Sequence, residues 1–341
     1  MSTEGGTKAV IAALLANLGI AVTKFIAFLL TGFSSMLAES IHSVADSGNQ
    51  VLLLVGGKRA QRAATPQHPF GFGRERYVYS FVVAIVLFSL GGCFALYEAW
   101  HKYHESVGDT DYDPFESRWW WVPVVVLLVA IVLEGLSFRT AVRESNKTRG
   151  KRSWLRFVKS SKSPELPVIL LEDSGALTGL VFALFGVGLT LITGNPLFDA
   201  LGTGMIGLLL VVIAVFLALE MKSLLLGEAA TLKHQEAIAA ALETPETIDR
   251  VIHMRTMHLG PEELLVAAKL AVGATDRAEV VARAIDAAER EARAAVPDLD
   301  LVIYIEPDID RDAARVAPAV TSETLAPTGG DVAAGEHVDG G

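Results

Sequence analysis

Apolar residues gather in six runs of about 20 residues, the length that crosses a bilayer core. They lie at roughly 8–32, 34–57, 77–100, 119–141, 165–193 and 197–222, and each predicts a transmembrane helix, giving a transmembrane domain over 1–226. Beyond 226 the pattern changes. "LKHQEAIAAALE" and "DRAEVVARAIDAAEREARAAVP" carry apolar residues at helical spacing, while "IDRVIHMRTMHLG", "LLVAAKLAV" and "LVIYIEPD" read as strands. That order, αββαβ, predicts a small α+β domain over 227–310, with helix covering one face of a three-stranded sheet. From 311 to 341 the chain is rich in Ala, Gly, Pro and Val, with scattered acids and no period, so this tail is expected to be disordered.

Composition agrees with a membrane protein: 51% of residues are hydrophobic and only 20% charged. The single cysteine, Cys93, leaves no disulfide framework and no cysteine cluster for metal. Lys58, Arg59, Arg62, Arg74 and Arg76 follow the second run, and nine Lys and Arg residues lie between Arg139 and Lys162. Both loops, and with an even number of spans both termini, are therefore expected in the cytoplasm. Basic loops can also hold lipid head groups, but topology alone accounts for these. The loop after the third run is instead acidic, with Glu105, Asp109, Asp111, Asp113 and Glu116, and closes on "WWW" at 119–121, an aromatic belt for the opposite interface. The first run begins at Lys8, which leaves no room for a separate transit peptide and favours a prokaryotic plasma membrane. No nucleophile or phosphate-binding motif stands out, so neither an enzyme nor a nucleic-acid partner is expected.

The second run carries the informative chemistry. Glu39, His42, Asp46 and Asn49 are spaced 3, 4 and 3, which sets them on one stripe of a helix. Asp46 is about 12 residues from either end of the run, near the midplane. Ionisable groups at that depth face the bundle interior and by default mark an ion pathway or proton relay. His42 and Asp46 offer one imidazole nitrogen and one carboxylate oxygen to a single cation, a set suited to zinc and other first-row divalent ions. A His–Asp hydrogen bond pinning two helices is the plain alternative. Further acids on neighbouring spans favour the ion: Glu172 and Asp173 stand side by side in the fifth run, and Glu134 lies in the fourth.

Together "SSMLAESIHSVADSGNQ", "HPFGFGRERY", "LLEDSGALTGL", "TGNPLFDALG" and "LLLGEAA" resemble the cation diffusion facilitator family, and within it the zinc transporter nine-like branch. The likeness runs over about residues 8–310. It implies an α-helical membrane protein of six transmembrane helices followed by a ferredoxin-like cytoplasmic domain. It also implies a homodimer that exchanges a divalent metal for protons, with zinc as transported ion and no resident cofactor. Manganese or iron is the alternative cargo, and a non-transporting metal sensor or partner subunit the alternative role. In that family two residues four apart on each of the second and fifth spans hold the metal. His42 and Asp46 match the first pair and Asp173 the last member, but the remaining position is Ile169, which cannot bind metal.

Three substitutes for that ligand are open: Glu172, Glu134 and a water molecule. Glu172 is favoured, although it lies about 100° round the helix from Asp173 and is expected to need a rotated or unwound fifth span, which Gly175 and Gly179 would permit. Two further family sites look incomplete. The loop after the second span keeps only His68. In the C-terminal domain His253 and Glu306 match family positions, but Tyr304 stands where the family has His, and His234 and His258 are read as ordinary surface or core histidines.

Overall fold

The computed structural model describes the backbone of residues 3–107, 113, 115, 116 and 118–309, and the side chains of these apart from 3–16, 87 and 88. The expected disordered tail, 311–341, and Asp109 and Asp111 of the acidic loop lie outside the described residues.

The apolar runs fold as long helices: α1 (Thr3–Thr31), α2 (Ser34–Ala60), α3 (Glu75–Val82) continuing through a π-helical stretch (Val83–Phe88) into α4 (Ser89–Ser106), α5 (Val122–Arg149), α7 (Glu165–Thr193) and α8 (Leu197–Leu226). A short helix, α6 (Trp154–Ser160), interrupts the basic loop, its first turn capped by the Ser153 hydroxyl accepting from Arg156 N. Among the described residues four helices are long and apolar enough to cross a membrane: Glu75–Ser106, Val122–Arg149, Glu165–Thr193 and Leu197–Leu226. The described apolar part of α1 is the shorter Asn17–Thr31. The polar stripe lowers the hydropathy of α2, and the fold compensates by burying it: Glu39, His42, Asp46 and Asn49 are all buried. Elsewhere the pattern inverts. Leu128, Val129, Val132 and Leu136 of α5 and Leu208, Val212 and Leu219 of α8 are exposed, as expected where hydrocarbon is the solvent.

The core joins Ala27 and Met36 to Leu127, Leu180, Ile206 and Leu217 from α1, α2, α5, α7 and α8. Small residues bring α7 and α8 close. A Cβ on Gly202 would lie 2.8 Å from Phe182 O and 3.2 Å from Gly186 Cα, backbone that cannot give way.

After α8 the chain turns at Gly227, in the positive-φ region at 103°, into α9 (Leu232–Leu242), β1 (Ile248–His258), β2 (Glu263–Val272), α10 (Ala278–Ala295) and β3 (Asp300–Asp308). The sheet order is β1-β2-β3, antiparallel between β1 and β2 and parallel between β2 and β3. Ala284, Ala288 and Ala292 of α10 pack with Leu264, Val266, Leu270 and Leu301 of the sheet, so its regular Ala spacing lets the helix sit close. The sheet domain meets the bundle through named contacts. Lys162 forms an ion pair with Glu228, and Gly73 abuts Gly260 so closely that a Cβ would lie 3.1 Å from Gly260 Cα; within the bundle, Tyr77 Oη donates to Lys162 O at 3.0 Å and holds the loop that carries that lysine.

Candidate functional site

The polar stripe of α2 lies at the centre of the bundle, packed against α1, α7 and α8. His42 Nδ1 and Asp46 Oδ1 are 3.5 Å apart, which is the i, i+4 relation the sequence suggests. One turn further along, Asn49 Nδ2 donates to Glu172 Oε2 of α7, while on the other flank of α7 Ser137 Oγ of α5 donates to Asp173 Oδ2 at 3.1 Å. Glu134, one turn before Ser137 on α5, is half-buried. It is close enough to Asp46, Glu172 and Asp173 to repel them electrostatically.

The expected distortion of the fifth span is absent. α7 is helical from Glu165 to Thr193, and Glu172 faces α2 without any unwinding, because α7 is surrounded and its successive positions meet different neighbours. Ile169 and Asp173, four apart, face α5: Ile169 packs on the cluster of Ala141, Phe157, Val158 and Leu170. Gly175 and Gly179 serve close packing instead. A Cβ on Gly175 would be 2.6 Å from Ile213 Cδ1, and one on Gly179 would be 2.7 Å from Glu39 Oε1.

Two polar elements of this region escape the sequence reading. Lys24 of α1 is 2% exposed, and its Nζ donates to Glu39 Oε2 and Ser43 Oγ, both at 2.9 Å. A lysine in the middle of an apolar run was the available signal. Asp199, at the start of α8, accepts from the backbone N–H and hydroxyl of both Ser34 and Ser35. It thereby caps α2, whose own N-cap position, Phe33, has no side chain to do so.

Among the described residues no three His, Cys, Asp or Glu side chains converge closely enough to hold one ion together. The carboxylates are instead engaged by Asn49, Ser137 and Lys24. Two open cavities, of about 450 and 470 Å³, lie where residues 60–78 meet the sheet domain, and neither is lined by the α2 stripe.

The other candidate histidines stand apart. His68 is exposed in a bend, bridged to Thr65, with its ring centroid 4.7 Å from that of Phe72. His253 is exposed on β1 opposite Lys269, which in turn lies opposite Glu306. Lys269 Nζ is 2.9 Å from Glu306 Oε1 and 3.1 Å from Asp308 Oδ2, so a lysine stands between the two family-matched positions. Tyr304 is exposed, edge-on to Phe70. His234 Nε2 lies 3.5 Å from Asp298 Oδ2. His258 is buried against Gly260 O at 3.2 Å; burial, reinforced by the charge of Lys162, pushes its imidazole below the ordinary value. Burial acts to raise the Glu228 carboxyl, but hydrogen bonding to Lys162 and Ser223 and the Lys162 charge hold it low.

The cation efflux transmembrane domain model matches residues 10–226. The mitochondrial proton-coupled zinc antiporter SLC30A9 of Mus musculus is 32% identical over 259 residues, 75% of this chain and 44% of the mouse protein. Its Xenopus laevis counterpart is 33% identical over 255 residues, 74% and 44% of the two chains. Metal tolerance protein C4 of Arabidopsis thaliana is 26% identical over 270 residues, 76% and 56%. The chain thus spans about half the length of these relatives. The expected prokaryotic plasma membrane is overturned by these relatives, which are named mitochondrial. That expectation rested on where the first apolar run begins, and the position of a membrane span does not decide which membrane receives it.

Proposed function

Because the chain belongs to the cation efflux family, we propose that it is a secondary transporter that moves a divalent metal, zinc first, across a membrane in exchange for protons. The bundle spans six times on this reading, with α1 and α2 added to the four long apolar helices. The αββαβ domain is the ferredoxin-like unit of a homodimer. On this reading the arriving ion draws His42, Asp46 and Glu172 together from the separated positions they hold without it, and Asp173 and Glu134 complete its surroundings. The observation that carries the reading is the burial of His42, Asp46 and Glu172 on facing helices at mid-bundle. An Asp at the centre of a spanning helix costs about 2.5–3.5 kcal/mol on insertion scales, and a cation shared among several acids offsets that cost.

The chemistry follows from the ligands. A carboxylate or imidazole binds metal only when deprotonated, so each ion bound releases protons and each proton taken up weakens the ion's hold. A bundle that exposes the site alternately to its two sides then couples the two flows. The ion enters from the side bearing the sheet domain and leaves on the other, driven by protons moving the opposite way. The mitochondrial names of the relatives support a mitochondrial membrane as the setting. Carboxylates outnumber the one imidazole at the site, which favours manganese or iron as second cargo, since oxygen donors suit harder ions.

Zinc flux and internal pH measured together in sealed proteoliposomes test the proposal. Wild type is expected to move zinc against protons, and His42→Ala and Asp46→Ala to abolish both flows while remaining folded. A folded wild type that moves neither would leave the sensor or partner-subunit role in its place.

A further inference from the structure

Lys24 and Glu39 form a buried ion pair, 2% and 0% exposed, which the ligand set above does not use. Glu39 is seven residues before Asp46 on the α2 stripe, about 10 Å along the axis. On α7, Gly179 stands seven residues beyond Glu172, again about 10 Å, and Glu39 abuts that glycine. The pair therefore forms a second polar layer in the same α2–α7 interface, displaced toward the end of α2 away from the sheet domain. One oxygen of Glu39 accepts from Lys24, while Oε1 has no hydrogen-bond partner among the described residues. A buried carboxylate with half its accepting capacity unused is costly unless something else uses it. Lys24 also lies near enough to act electrostatically on His42, Asp46 and Glu134.

We propose that Glu39 is a second station for the cargo ion, on the exit side of the His42–Asp46–Glu172 layer, and that Lys24 is the tethered cation that fills it in this conformation. The inference rests on the transport reading. An ion leaving the first layer for the far side meets a carboxylate already holding an ammonium. It passes by displacing Lys24, and the return of Lys24 to Glu39 expels it, so one carboxylate exchanges two cations. The free Oε1 and the Ser43 hydroxyl, which Lys24 gives up when it is displaced, give the passing ion its contacts. Gly179 keeps the α7 side open, since any larger residue would press on that oxygen.

Zinc bound per protomer, measured by elemental analysis and calorimetry on the purified full chain, tests this. Lys24→Gln vacates the station and is expected to bind one more zinc ion than wild type. Lys24→Gln with Glu39→Gln is expected to return to the wild-type number. An unchanged number in Lys24→Gln, or an extra ion that persists in the double variant, overturns the proposal. Should Lys24→Gln fail to fold, Glu39→Gln decides by its kinetics: loss of the exit station lowers kcat about fivefold or more with KM little changed, and a wild-type kcat overturns the proposal. Wild type that binds no zinc, or His42→Ala that binds as wild type does, fails the transport reading itself; an intact response to His42→Ala with no effect at Lys24 or Glu39 fails this inference alone.

Discussion

Replacing Asp199 by Asn puts a number on the link between α8 and α2. Oδ2 of Asp199 accepts from Ser34 N at 2.6 Å and Ser34 Oγ at 2.9 Å, and Oδ1 accepts from Ser35 N at 3.2 Å and from the Ser35 hydroxyl. In Asp199→Asn one of these oxygens becomes an NH2 group that faces a backbone N–H, donor against donor. The hydroxyl at that position can turn to accept, but the N–H cannot. The variant thus loses a charge-assisted bond to an amide, weakens the others, and gives up a negative charge at the positive end of the α2 dipole. With charged hydrogen bonds worth about 1.5–3 kcal/mol each and an orphaned buried donor costing about 1–3 kcal/mol, the net loss is about 3–5 kcal/mol. At about 2–4 °C per kcal/mol, the midpoint should fall by about 10 °C. Thermal unfolding in detergent, followed by tryptophan fluorescence, measures it. Ser34→Ala with Ser35→Ala keeps both backbone bonds and should lose less. An Asp199→Asn midpoint within about 2 °C of wild type, a shift worth no more than about 1 kcal/mol, would refute the capping argument.

Glu172→Gln keeps the hydrogen bond to Asn49 but removes the charge, so zinc flux in proteoliposomes should fall by about tenfold or more. Glu134→Gln, on a half-buried position, should be milder, and the reverse order would move the ligand to α5. Gly202→Ala forces a methyl against the α7 backbone and should cost about 1–3 kcal/mol in thermal unfolding, whereas Gly204→Ala, whose nearest neighbour is Ala99 Cβ at 3.5 Å, should be neutral; equal effects would discount the tight α7–α8 crossing. His258 is held below the ordinary imidazole value of 6.5 by burial, so below that pH the unfolded chain binds more protons than the folded one. Stability of the sheet domain should therefore fall as pH drops through about 6.5 toward the depressed folded value, and His258→Gln should flatten that slope in melts recorded between about pH 8 and 5.

The helices and strands were legible because their signals are local and periodic. The α2 stripe was legible because four polar residues at helical spacing in an apolar run cost too much to stand there unless they face one another's partners inside the bundle. The orientation of Glu172 was not. Counting degrees round an isolated helix places Glu172 away from Asp173 correctly, but it does not say which sector meets which neighbour. With α2 on one side of α7 and α5 on another, both acids face inward and neither requires distortion. Ile169 fails as a ligand by chemistry, and its packing on α5 and α6 shows what the position does instead. Lys24 reads in sequence as one basic residue in a long apolar segment, and only its burial beside Glu39 gives it meaning. Asp199 and its serine partners are 165 residues apart or nearly so, and no local pattern connects them. The membrane itself was misjudged because location is written in targeting signals, which spans and loops do not carry.

The π-helical stretch at Val83–Phe88 sets the phase of everything after it. Each wide turn holds one residue more than an α-turn, which advances the following helix by about 100° relative to an uninterrupted one. Before the stretch, Tyr79 lies against α2, where a Cβ on Gly56 would be 2.8 Å from Tyr79 Cβ; after it, Gly92 meets α8 so closely that a Cβ would be 3.1 Å from Gly207 O. One continuous rod thereby serves two partners that a regular helix of the same sequence would not address together. Substitutions between 83 and 88 leave that clocking intact, whereas deletion of a single residue there would heal the helix, keep its length nearly unchanged, and turn the wrong side of α4 toward α8.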